Sequence, residues 1–185
     1  MTTTHSPRED IAEVIATEAE IRDAVERLAG ELTEDVGELS PILVGVLNGA
    51  FVFLADLVRR LDFPLEIDFM NASSYGEGTV SEGLEIQTDL SLDVEGRHVV
   101  LVDDILDTGQ TLQGLVRHVT GRGAASVRTC CLLDKPARRT VDFEADYVGI
   151  EIPDRFVVGY GLDFAQRHRN LPFIGVLRPE LYQSQ

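Results

Sequence analysis

The 185-residue sequence holds 32 acidic against 16 basic residues, a formal net charge of −16, which argues against nucleic acid or an anionic membrane as the main partner. A chain of this length buries roughly 70% of its unfolded surface as one domain and needs no disulfide or metal staple. It shows no N-terminal apolar signal region and no run near the ~20 apolar residues of a membrane span; Cys130 and Cys131 sit together on an apolar stretch, so a reduced, cytoplasmic protein is expected.

In chain order, Ser6-Pro7-Arg8-Glu9 places an N-cap serine, a proline at the first helical position and an acid at the third, which predicts a helix start. Thr17-Glu18-Ala19-Glu20 repeats the capping-box pattern ahead of Ile21, Ala24, Val25 and Leu28, and predicts a helix ending before Gly37. Residues 42–47 form a continuous apolar run that reads as a buried strand ending in Asn48-Gly49. Residues 50–61 have helical period, and Pro64 opens a strand through Met70. Residues 72–83 are the longest polar stretch between apolar elements, and a lid is favoured over a plain surface loop. Alternation resumes at Leu84-Glu85-Ile86, and further strands are predicted at 99–102, 124–133, 145–152, 156–160 and 173–177. Buried strands alternating with amphipathic helices imply an α/β fold, a doubly wound parallel sheet with its ligand at the carboxyl ends of the strands. Asn48, Asp103 and Lys135 fall at such ends.

Residues 99–111, Val-Val-Leu-Val-Asp-Asp-Ile-Leu-Asp-Thr-Gly-Gln-Thr, carry the densest chemistry. Four apolar residues give way to Asp103, Asp104 and Asp107, then to Thr108-Gly109, and Leu112, Leu115, Val116 and Val119 continue with helical period. The reading is strand, acidic loop, helix N-terminus. The unpaired first amides of a helix, with its dipole, make an anion site, and Thr108 and Thr111 add hydroxyl donors. Carboxylates about 5 Å apart repel by roughly 3 kcal/mol at an effective dielectric near 20, so acids beside an anion point to hydroxyls and a divalent cation between them. A sugar phosphate with Mg²⁺ satisfies every part. Two other readings remain open from these residues: an ordinary acidic turn after a buried strand, and an aspartic protease, whose tripeptide Asp107-Thr108-Gly109 matches. The protease reading requires a second facing aspartate in a β-rich chain, and this chain alternates strands with helices.

The same stretch resembles the phosphoribosyl-diphosphate-binding motif of the type I phosphoribosyltransferases, most of all those acting on hypoxanthine and guanine, and the resemblance extends from about Pro41 to Arg178. It implies one domain over residues 1–185, a parallel-sheet core flanked by helices, with residues 1–36 and about 153–185 supplying a small hood and flanking elements. It implies a purine salvage transferase that is Mg²⁺-dependent and converts hypoxanthine or guanine plus phosphoribosyl diphosphate into IMP or GMP plus diphosphate. A homo-oligomer, dimer or tetramer, is expected, with no nucleic acid or membrane partner. A regulatory RNA-binding protein on the same fold is the alternative, and the acidic composition weighs against it.

Carried over residue by residue, Asp107 would be the acid beside purine N7, and Thr108, Gly109, Gln110 and Thr111 would hold the 5′-phosphate. Asp103 and Asp104 would bind the ribose hydroxyls, directly or through Mg²⁺. Ser74-Tyr75 matches the flexible-loop pair that closes over the diphosphate. Lys135, in Leu-Leu-Asp-Lys-Pro, would donate to the purine 6-oxo group. In the segment Asp154-Arg155-Phe156-Val157-Val158-Gly159-Tyr160-Gly161-Leu162-Asp163, Phe156 would stack on the base, Val157 would bond it through its backbone, and Asp163 would hold a second Mg²⁺. Arg169 matches the diphosphate arginine. Taken singly, Phe156 also reads as core, Arg169 as a surface charge and Asp163 as a turn residue. Two positions depart from the pattern: Asn48-Gly49 lacks the usual basic residue before glycine, so only backbone amides remain for diphosphate, and Asp103 stands where glutamate is common, one methylene shorter.

Overall fold

The structure, a computed structural model, describes residues 5–74 and 84–182. Ser6 caps a single 3₁₀ turn, Pro7–Asp10, rather than a helix, and the chain passes directly into a strand that the sequence did not announce, β1 (Ile11–Ala16). The capping box at Thr17 then forms as expected: Thr17 N–H donates to the Glu20 carboxylate at 2.8 Å and Glu20 N–H donates to Thr17 Oγ1 at 3.3 Å. It opens α1 (Glu18–Val36), whose buried stripe is Ile21, Val25, Leu28 and Leu32.

There follow β2 (Ile42–Leu47), α2 (Phe51–Val58), β3 (Glu66–Ser74), β4 (Leu84–Thr88), β5 (His98–Leu106), α3 (Gln110–Gly121), β6 (Ser126–Asp134), β7 (Tyr147–Glu151), β8 (Val157–Val158) and β9 (Ile174–Leu177). Six strands form one sheet in the order β4-β3-β2-β5-β6-β7, parallel throughout except for β4, which runs antiparallel to β3 at the edge. Helices cover both faces. Leu28, Phe53 and Leu57 of α1 and α2 pack with Leu43, Val100 and Leu132 on one side; Leu112, Leu115 and Val119 of α3 pack with Val44, Val99 and Leu101 on the other. Cys130 and Cys131 point into these two different layers, both buried and both free.

From β2 the chain winds outward through β3, and from β5 it winds the opposite way through β6 and β7. The carboxyl ends of β2 and β5 therefore flank the switch point where such sheets open a crevice. The chain ends build a second, three-stranded antiparallel sheet, β1-β9-β8, in which Ile11 lies opposite Leu177 and Val157 opposite Val176.

Candidate active site

The acidic segment differs from its sequence reading in one respect. Asp103 and Asp104 are not in a loop: β5 continues through them to Leu106, with Asp103 opposite Cys131 and Leu106 opposite Asp134 of β6. Strand geometry sends neighbouring side chains to opposite faces, yet the two acids stay in contact, Asp104 N–H donating to Asp103 Oδ1 at 2.9 Å. Burial, and then repulsion from Asp104, push the Asp103 carboxyl well above the ordinary range; burial also raises Asp104, against the lowering effect of Asp103, nearby amides and Arg169. Two carboxyls so placed favour sharing a proton, the chemistry expected of like charges brought together in a buried place.

The turn after β5 is made by Gly109, whose φ of +85° is a left-handed conformation open to glycine. It stands at the N-cap of α3 and supplies no side-chain cap; the first amide of that helix, Gln110 N–H, donates to Thr108 Oγ1 at a long 3.4 Å, and no acid of the chain caps the helix start among the described residues. Gly49 presses against the other wall, for a Cβ there would collide with the Asp104 carboxylate. Leu47 and Gly49 line the cleft with exposed Asn48 between them, and the Leu47–Asn48 peptide is cis. Asp103, Asp104, Asp107, Thr108, Gly109 and Thr111 also line it, with the apolar Val46, Ala72, Ile105, Leu106 and Leu112. Gln110 is exposed, its amide donating to Thr140 Oγ1 at 3.1 Å.

Asp107 is shared between this cleft and a second cavity, of 400 Å³, which also takes in Lys135, Arg138, Asp154, Phe156, Val157 and Asp163. That size is within the range of small-molecule sites. Lys135 follows β6 and is only 8% exposed. Burial lowers its ammonium from the usual lysine value, while Asp107 and Asp154 oppose that, and no hydrogen bond engages the ammonium among the described residues. Phe156 stacks on Tyr182 at 4.8 Å and meets Phe164 edge-on at 5.8 Å, so an aromatic wedge borders the cavity. Val157 is buried in β8.

Two further predicted residues pair with each other: Asp163, from the lining of the second cavity, lies 2.8 Å from Arg169 and accepts from Gln166 N–H at 2.8 Å. Arg169 also donates to the Gly161 carbonyl at 2.7 Å and lines a separate cavity with Asp56, Arg60 and Tyr160. Ser74 ends β3, and its side chain, Tyr75 and the rest of the expected lid through Gly83 lie outside the described residues.

The sequence reading missed the arm that follows Lys135. Arg138 donates to Asp107 Oδ1 at 3.2 Å and lies 3.9 Å from Asp154. Arg139 pairs with Asp134 and donates to the carbonyls of Leu106 and Asp107, clamping the turn, and Thr140 N–H donates to Thr108 O at 3.0 Å. The one signal for it was the Arg138-Arg139 pair leaving the carboxyl end of a central strand, where this fold gathers its ligand contacts.

A family model described as a phosphoribosyl transferase domain matches residues 13–165. The hypoxanthine-guanine phosphoribosyltransferase of Bacillus subtilis (strain 168) is 49% identical over 178 residues, 96% of this chain and 99% of the relative. A bifunctional protein TilS/HprT of Listeria monocytogenes is 51% identical over 97% of this chain, and the chain spans 28% of its length. A crystal structure of a hypoxanthine phosphoribosyltransferase from Staphylococcus aureus matches with a TM-score of 0.91 at 42% identity, covering 97% of this chain and 98% of that one. The chain belongs to the phosphoribosyl transferase domain family and, within it, to the hypoxanthine-guanine phosphoribosyltransferases.

Proposed function

We infer that the protein transfers the phosphoribosyl group of phosphoribosyl diphosphate to hypoxanthine or guanine, giving IMP or GMP and diphosphate. The observation that carries this is the junction of two compartments at Asp107: an acid-and-amide cleft suited to a sugar phosphate, and a cavity with a buried ammonium and an aromatic wedge suited to an oxopurine. In the reaction the bond from ribose C1′ to the diphosphate oxygen breaks, a bond from C1′ to the purine nitrogen forms, and the base loses a proton. Positive charge develops on the ribose and negative charge on the diphosphate, so stabilisation by pre-placed groups is the main task.

In this reading the amides at the start of α3, with Thr108 and Thr111, hold the 5′-phosphate. Lys135 donates to the 6-oxo group, Phe156 flanks the ring and the Val157 backbone bonds its edge. Asp107 manages the proton at N7, with Arg138 holding its carboxylate in place. Arg169 and the Gly49 amide meet the diphosphate. A divalent cation fits the donor set: two adjacent carboxylates whose burial pushes their protonation upward match Mg²⁺, which takes one or two carboxylates and fills its shell with substrate oxygens. Asp103 and Asp104 would hold it, and Asp163 a second ion once released from Arg169; the ion's chemistry is neutralisation of diphosphate and hydroxyl charge. The chain from 1 to 185 is read as one such domain, supported by pairing of β1 near one end with β9 near the other. A cytoplasmic location is supported by two buried free thiols, and a homo-oligomer, dimer or tetramer, by exposed Phe51, Ile67 and Phe69. The family membership leaves the protease and RNA-binding alternatives without support.

The test is turnover of hypoxanthine, guanine, xanthine and adenine with phosphoribosyl diphosphate and Mg²⁺. Hypoxanthine or guanine should be converted and adenine should not; absence of any 6-oxopurine turnover refutes the reading.

A further inference from the structure

The segment from Gly159 to Asn170 is unusually strained. Tyr160, Ala165, Gln166 and His168 hold φ of +49°, +51°, +64° and +75°, conformations that side-chain-bearing residues adopt only when their surroundings impose them. Asp163 and Arg169 both belong to this segment, and the bonds of Arg169 run to Gly161, Asp163 and Gln166 within it. What fixes the segment to the rest of the molecule is therefore decisive for where Arg169 points. At one end Tyr160 Oη donates to Asp56 of α2 at 2.5 Å, and Gly161 lies so close to the Gly49 carbonyl that a Cβ would collide with it. At the other end stands His168.

The His168 side chain is 4% exposed, and its Nε2 lies 2.8 Å from Asp10 Oδ2, on the 3₁₀ turn before β1. Its Nδ1 is buried with no partner among the described residues. An apolar ring would fill the same space without leaving that nitrogen unsatisfied, which costs free energy; the histidine is accounted for by its one bond to Asp10. Asp10 is itself held, by His5 at 2.6 Å and through its carbonyl by Arg178 N–H at 2.9 Å.

We propose that His168 is a positioning residue for diphosphate recognition: its bond to Asp10 locks the backbone immediately before Arg169 and so holds the Arg169–Asp163 pair in register with Gly161, which Arg169 bonds and whose backbone abuts Gly49 of the cleft. The proposal rests on the reading of Arg169 as the diphosphate-binding arginine. The N-terminal turn thereby takes part in substrate binding without touching substrate.

The experiment compares full-length His168→Phe, Asp10→Ala and Arg169→Ala with the parent, by steady-state kinetics and by calorimetric titration with inorganic diphosphate and Mg²⁺. His168→Phe and Asp10→Ala should each raise the KM for phosphoribosyl diphosphate and weaken inorganic diphosphate binding by about tenfold, the scale of a sub-ångström misplacement. The KM for hypoxanthine and kcat should stay within about twofold, and the double variant should be no worse than the worse single one. A purely structural role would instead lower the melting temperature and leave the two KM values in their original ratio. Should His168→Phe fail to fold, Asp10→Ala decides by the same criteria. Intact diphosphate binding in Arg169→Ala refutes the role of Arg169; loss there, with intact binding in folded His168→Phe or Asp10→Ala, overturns the tether itself.

Discussion

Lys135 is the only lysine among the sixteen basic residues, and it occupies a buried position with a lowered pKa between Asp107 and Asp154. Elsewhere arginine serves for every cation, including the clamp at Arg139 and the exposed pair at Arg27. A compact ammonium suits a cavity that already holds the Arg138 guanidinium, where a second planar fork would crowd the base. Three donors and no acceptor match a 6-oxo oxygen and oppose a 6-amino group, and a site built on one such bond rejects the analogue by about 10⁴-fold or more. Lys135→Arg is therefore expected to raise the KM for hypoxanthine by at least roughly tenfold while inorganic diphosphate binds as before. Lys135→Gln, which can accept as well as donate, should narrow the gap between hypoxanthine and adenine. Competition kinetics on the three proteins measures both, and an unimpaired Lys135→Arg would remove the proposed contact. Lys135 was legible because its strand, its motif and its rarity agree. Arg138 was not: its contact with Asp107 joins two loops 31 residues apart, and nothing in local period or spacing records such a meeting.

Among the elements, β3 is tied to the crossing into β5 by one carboxylate. Asp68, 7% exposed, accepts from the amides of Phe69, Ser91 and Leu92 at 2.9, 2.8 and 2.8 Å and from Ser91 Oγ at 3.0 Å. Burial alone would raise its pKa; the amides and the hydroxyl outweigh that and hold it below the usual carboxylate range. A depressed folded pKa means stabilisation fully present above the unfolded value, near 4, and lost as pH falls through the folded one. Asp68→Ala should cost about 2 kcal/mol at pH 7, because buried amides are left unpaired, and its deficit in urea unfolding should shrink below about pH 4. A deficit independent of pH, or none at pH 7, would show that the carboxylate does not hold the crossing. By contrast β2 and the first half of β5 were readable as uniform apolar runs, since both of their faces are buried. The strand β1 was not, because Ala16 alone is buried within it. Its place is set by β9, over 150 residues later in the chain, which no short window contains.

For the molecule as a whole, the surplus of 16 negative charges sets repulsion against ion pairing, and the two respond to salt in opposite directions. Eleven arginines pair with carboxylates among the described residues. At about 0.5 kcal/mol for a typical exposed pair, screening them all would forfeit roughly 5 kcal/mol. The same net charge on a sphere of about 20 Å radius in water carries a self-energy on the order of 25 kcal/mol, and about a third of that in the expanded chain. Repulsion thus outweighs pairing, and folding is opposed by it at low salt. Raising NaCl from about 10 mM to about 1 M shortens the screening length from roughly 30 to 3 Å, which removes most of the repulsion while the closest pairs keep part of their attraction. The melting temperature is expected to rise by several degrees, each kcal/mol being about 2–4 °C for a chain of this size. The rise should diminish as pH approaches the isoelectric point near 4.5, where the surplus charge vanishes but the chloride concentration does not. A melting temperature that falls with NaCl at neutral pH would mean that the arginine pairs, not the surplus acids, dominate the charge energetics of this fold.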